Sequence, residues 1–133
     1  MLGGRGLGHS RAAIPGEVTF EKASDGFYDF QHKYLATETL VMNIPPQNLS
    51  ANDLARVQQL AVKAFDAFEC EGLTRVDMFL CADGTLLVNE INTMPGFTPF
   101  SMYPVMWEKS GMQYRELIEE LIGLAFERGT GLH

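Results

Sequence analysis

The chain has 133 residues, 46% hydrophobic and 20% charged, enough for one domain with a real core. Ten basic against seventeen acidic residues give a formal net charge of -7, which argues against a general nucleic-acid surface, where clustered Lys and Arg are expected. No apolar run reaches the ~18 residues of a membrane span, and the opening MLGGRGLGHSRAAIPG lacks the apolar core of a secretory signal.

In chain order, residues 1–13 are rich in Gly and Arg, show no periodicity, and read as a flexible segment. Gly4–Gly8 is a poor phosphate loop, because no strand leads into it and no P-loop lysine follows. The domain proper is expected over 14–128, with a tail at 129–133. Gly16 to Phe20 reads as a strand, Ser24–Tyr34 as a polar, aromatic loop, and Thr39–Ile44 as a second strand that Pro45-Pro46 ends. Ser50 is placed to cap a helix whose first turn holds Asp53. Leu54, Val57, Leu60, Ala61, Ala64, Phe65 and Phe68 follow at helical spacing and predict a buried face. A closing helix covers about Gln113 to Arg128, with Leu117, Leu121, Leu124 and Ala125 inward. Cys70 and Cys81 have no metal-like spacing and fit a reduced, cytosolic compartment.

The informative stretch is TRVDMFLCADGTLLVNEIN, Thr74 to Asn92. Two β-rich runs flank Asp83-Gly84, a strong two-residue hairpin signal. That turn predicts Asp77 across from Glu90, Arg75 across from Asn92, and Phe79 across from Val88, all on one sheet face. A three-residue loop with a bulge would slip this register by one. Two carboxylates directly opposite destabilise a sheet unless something lies between them: a shared proton, an arginine or a divalent cation. Oxygen-only donors from Asp77, Glu90 and Asn92 suit Mg²⁺. Phe79 and Val88 offer a floor for a flat base such as adenine. The plain alternative is the solvent-facing side of an amphipathic hairpin.

Next comes NTMPGFTPFSMYP, Asn92 to Pro104. Pro95-Gly96 favours a tight turn that bares the Gly96 N–H, a candidate oxyanion donor. Ser101, ahead of Met102-Tyr103-Pro104, reads as a helix N-cap able to meet a carboxylate, although most such serines are purely structural.

RVDMFL and VNEINTMPGFTPFSMYP, with PGEV and FYDFQHKY upstream, resemble the C-terminal region of D-alanine–D-alanine ligases of the ATP-grasp fold. The resemblance covers Ile14 to Arg128. It implies an α+β fold, the ATP-grasp C-terminal subdomain, with an antiparallel sheet flanked by helices. It also implies a reaction in which ATP phosphorylates one D-alanine carboxylate and the amine of a second attacks the acyl phosphate, in the cytoplasm, for peptidoglycan precursors. By this likeness Asp77 and Glu90 hold one Mg²⁺ and Glu90 and Asn92 a second, with Mn²⁺ as a substitute. Arg75 and the Gly96 N–H stabilise the tetrahedral intermediate, Ser101 and the Met102 backbone receive the carboxylate of the second D-alanine, and Lys33 contacts nucleotide phosphate. Tyr34 lies on a closing loop. Relatives that make D-alanyl-D-lactate tend to differ there, so Tyr34 favours the dipeptide.

A complete ligase has further N-terminal and central segments, and residues 1–13 do not follow the family pattern. The chain is therefore expected to be a partial gene or a truncated reading frame, inactive alone, from a homodimeric parent with no nucleic-acid or membrane partner. The alternatives are another ATP-grasp carboxylate–amine ligase, or a non-catalytic interaction module using its Phe- and Met-rich surface.

Overall fold

The computed structural model describes residues 1–4, 9–20 and 40–128. The strands are β1 (Leu2–Gly3), β2 (Ser10–Arg11), β3 (Glu17–Phe20), β4 (Leu40–Asn43), β5 (Gly72–Leu73), β6 (Arg75–Leu80) and β7 (Leu86–Asn92). The helices are α1 (Ala51–Ala67), α2 (Met102–Lys109) and α3 (Tyr114–Arg128). The described residues form three small antiparallel sheets: β2-β1-β5, β3-β4 and β6-β7.

The expectation of a flexible opening segment is corrected. Leu2 is fully buried and Met1 nearly so, and β1 is the centre of the first sheet. Successive strand residues point to opposite faces. Met1 accordingly packs with Ala61 and Phe65 of α1, while Leu2 packs with Tyr103, Trp107 and Leu117 of α2 and α3. Full burial of a leucine is worth roughly 1.5–3 kcal/mol, which helps offset the entropy of ordering so short a strand. Periodicity misses it because two residues carry no period. Residues 5–8 and the tail at 129–133 lie outside the described residues.

Helix α1 starts as its sequence predicts. Ser50 Oγ accepts from the Asp53 N–H (3.1 Å) and donates to Asp53 Oδ2 (2.6 Å), and these bonds hold the Asp53 carboxyl below its ordinary range. The helix ends in a Schellman turn: the Glu69 N–H donates to Asp66 O and the Cys70 N–H to Phe65 O. Glu69 takes the left-handed place, at φ 50°, where glycine is usual. Ending there leaves Phe68 exposed, against the expected stripe. Ala125 is likewise exposed, although its neighbour Leu124 still packs on the core. A second Schellman turn, with Gly111 at φ 93°, folds α2 back on α3.

The inner face of the hairpin that follows lies over α1. Val76 and Met78 pack against the cluster of Met1, Ala61 and Phe65. The turn is tied to α1 through Arg56, whose Nη2 donates to Gly84 O (2.8 Å).

Candidate active site

Strands β6 and β7 pair Arg75 with Asn92, Val76 with Ile91, and Asp77 with Glu90. The register then shifts, and Met78 pairs with Val88, Phe79 with Leu87, and Leu80 with Leu86. Asn89 is the extra residue, a β-bulge beside the two carboxylates. At the far end the loop has three residues, not two. Cys81 N–H donates to Thr85 O and Gly84 N–H to Cys81 O, both at 2.9 Å. A two-residue type I′ turn needs positive φ at both central residues. Gly84 has it, at φ 80°, but Asp83 does not. Asp83 instead accepts the Thr85 N–H through Oδ1 (2.9 Å), which lowers its carboxyl pKa.

The two irregularities cancel at the polar end. Glu90 still faces Asp77, as the sequence predicts, but Val88 does not face Phe79. Cross-strand partners share a face, so Val88 goes with Met78 on the α1 side and Leu87 takes the place opposite Phe79. Phe79 and Leu87 are both at least half exposed.

Of the three possible answers to the facing carboxylates, the structure shows the arginine. Arg75 Nε donates to Asp77 Oδ1 (2.8 Å) and Nη2 to Asp77 Oδ2 (2.9 Å), while Nη2 also lies 4.0 Å from Glu90 Oε1. This two-pronged bond to Asp77 holds the guanidinium above its ordinary pKa. Asn92 Oδ1 accepts the Met94 N–H (3.0 Å), which starts the loop and turns the carboxamide towards it. The donors fit a hard cation: two carboxylates and a carboxamide, oxygen only. Among the described residues no three His, Cys, Asp or Glu side chains converge. A cation here would therefore draw on Asn92 and on ligand oxygens besides Asp77 and Glu90.

The loop from Asn92 to α2 is pinned by aromatic contacts. Phe97 packs against Tyr103 and Tyr114 (ring centroids 6.0 and 5.5 Å apart), and its carbonyl accepts the Tyr114 hydroxyl at 3.0 Å. Ser101 stands at the N-cap of α2 as predicted, but its side chain makes no cap bond. Its Oγ instead accepts the Thr98 N–H (3.0 Å) and lies 2.8 Å from Thr98 Oγ1. Gly96 sits against the same hydroxyl, where an added Cβ would lie 3.1 Å from Ser101 Oγ. Lys33 and Tyr34 lie outside the described residues.

The family described as D-ala D-ala ligase C-terminus matches residues 6–123. The chain belongs to this family. It is 51% identical over 132 residues, 99% of its length, to the D-alanine–D-alanine ligase of Pseudarthrobacter chlorophenolicus, and covers 34% of that protein. Among solved structures, the VanG D-Ala:D-Ser ligase of Enterococcus faecalis shares 33% identity at a TM-score of 0.74, over 90% of this chain and 34% of that one. The D-alanine–D-alanine ligase of Bacillus anthracis complexed with ATP shares 29% identity at a TM-score of 0.59, over 65% of this chain and 30% of that one. The chain thus spans about a third of the relatives it matches. Its antiparallel sheets flanked by helices are those of the ATP-grasp ligases.

Within this ligase segment, sequence reasoning overlooked Thr98. The signal was present, because Thr98-Pro99-Phe100-Ser101 sets two hydroxyls across one turn, closed by the Ser101 N–H on Thr98 O (2.9 Å).

Proposed function

We propose that the chain forms the C-terminal third of a cytoplasmic, ATP-dependent ligase that joins two D-alanines through an acyl phosphate, for peptidoglycan precursors. The observation that carries this reading is Asp77 paired with Glu90, one step from Arg75 paired with Asn92. Asp77, Glu90 and Asn92 would hold Mg²⁺, or Mn²⁺ in its place, and the cation would neutralise phosphate charge during transfer. Arg75 and the Gly96 N–H face the charge that develops on the attacked carbonyl. Phe79 lies farther along the same face, and in this reading supports the adenine together with Leu87, in place of Val88. Ser101 and the Met102 N–H take the carboxylate of the second amino acid. Lys33 on the nucleotide phosphates and Tyr34 over the substrates complete the assignment, and the whole enzyme is a homodimer.

Calorimetry of the chain with Mg-ATP tests the site. Binding is expected, and Glu90→Gln should abolish it; a wild-type chain that binds no Mg-ATP overturns the reading in favour of an interaction module. The chain alone is expected to make no D-alanyl-D-alanine. Substituted for the matching third of the Pseudarthrobacter ligase, it should support dipeptide formation, and Glu90→Gln should remove it. The VanG relative makes D-serine the competitor to include beside D-alanine as second substrate.

A further inference from the structure

We propose that Thr98 is a positioning residue: it occupies the acceptor side of the Ser101 hydroxyl, so that the hydroxyl proton turns outward to donate to a ligand carboxylate at the start of α2. This rests on the reading that Ser101 receives the carboxylate of the second amino acid.

A serine hydroxyl has one proton to give and two lone pairs to fill. One lone pair is taken by the Thr98 N–H, which can only donate. The second contact, Thr98 Oγ1 at 2.8 Å, admits either direction. If Ser101 donates to Thr98, a filled lone pair on Ser101 is left to face the incoming anion, which is repulsive. If Thr98 donates, both Ser101 lone pairs are satisfied and its proton is free for the carboxylate. An anion therefore selects the second arrangement.

Three further features fit this role. An N-cap serine ordinarily accepts from the N–H of the second or third helical residue. Ser101 does not, so the first-turn N–H groups of Met102 and Tyr103 remain for a ligand beside the hydroxyl. Gly96 leaves the hydroxyl room, since a side chain there would press on it at 3.1 Å. The Tyr114–Phe97 bond holds the neighbouring backbone, so Thr98 acts from a fixed position.

The test is a titration of the 133-residue chain with D-alanine, followed by the amide shifts of Met102 and Tyr103. Thr98→Val should weaken binding about three- to tenfold, the scale of one hydrogen bond between neutral groups. Thr98→Ser should restore it, and Thr98→Val should add nothing in a Ser101→Ala background. Wild-type affinity in Thr98→Val, with Ser101→Ala impaired, overturns the role of Thr98 and keeps the site. A wild-type chain that binds no D-alanine, or Ser101→Ala with wild-type affinity, removes the site and the inference with it. If Thr98→Val does not fold, Thr98→Ala serves in its place. A loss that Thr98→Ser fails to rescue, or that persists in the Ser101→Ala background, marks a purely structural residue and overturns the proposal.

Discussion

The two faces of the β6–β7 hairpin are built on opposite terms. The inner face, Val76 and Met78, is apolar and covered by Met1 and α1. The outer face runs from the half-buried Arg75–Asp77 pair to Phe79, which is 59% exposed. One face holds the fold; the other lies open, and under the proposed function it takes the ligand. Stability and binding should therefore separate cleanly between residues that are neighbours in sequence.

The largest effect belongs to the inner side. Phe65→Ala should cost about 3–5 kcal/mol in urea unfolding, as truncation of a buried phenylalanine does. Glu90→Gln, on the outer face, should change stability by no more than about 0.5 kcal/mol while removing Mg-ATP binding. A large stability loss in Glu90→Gln would break the contrast.

Next comes pH, read on the same inner cluster. Burial lowers the Met1 amine from 8.0 to about 5, so the folded chain keeps it neutral where the unfolded chain protonates it. The unfolded state then binds more protons between those values, and stability rises with pH from about 5 to 8 and levels off above. The fall from 8.0 to about 5 corresponds to about 4 kcal/mol across the window. A chain carrying residues ahead of Met1 has an uncharged amide there and should show no such slope.

Arg75→Ala sharpens the contrast from the outer side. It removes the cation between Asp77 and Glu90 and should cost about 1 kcal/mol at neutral pH, since the pair is partly solvated. Added Mg²⁺ should recover that loss in the variant more than it stabilises the parent. Equal gains would show that the two carboxylates do not share a cation. The smallest effect is expected at Phe79→Ser, within about 0.5 kcal/mol in stability, with weaker nucleotide binding as its main sign.

Much of the site was legible because polar side chains in a hairpin are placed by counting. Asp77 opposite Glu90 came from the Asp83-Gly84 signal, yet by way of two offsetting errors. Asp-Gly serves a two-residue turn and a three-residue loop equally well, and only the backbone angle of Asp83 separates them. The Asn89 bulge then restored the count, and a bulge at an asparagine leaves no mark in the pattern. Val88 lies between the two irregularities, which is why its placement failed when Glu90's succeeded. Phe68 failed for another reason: a helical stripe shows which side is apolar, not how far the covering elements reach. Ser101 was found at its cap, but the hydroxyl's turn towards Thr98 depends on a loop held by Phe97 and Tyr114. That is tertiary information.

The bond from the Tyr103 hydroxyl to the Met1 carbonyl, 2.7 Å long, joins residues 102 positions apart. Strand β1 therefore has no complete set of partners until α2 has been made. At the usual speed of synthesis Met1 waits on the order of ten seconds for Tyr103 to be made. A contact so distant in sequence raises the contact order of the fold, which slows folding.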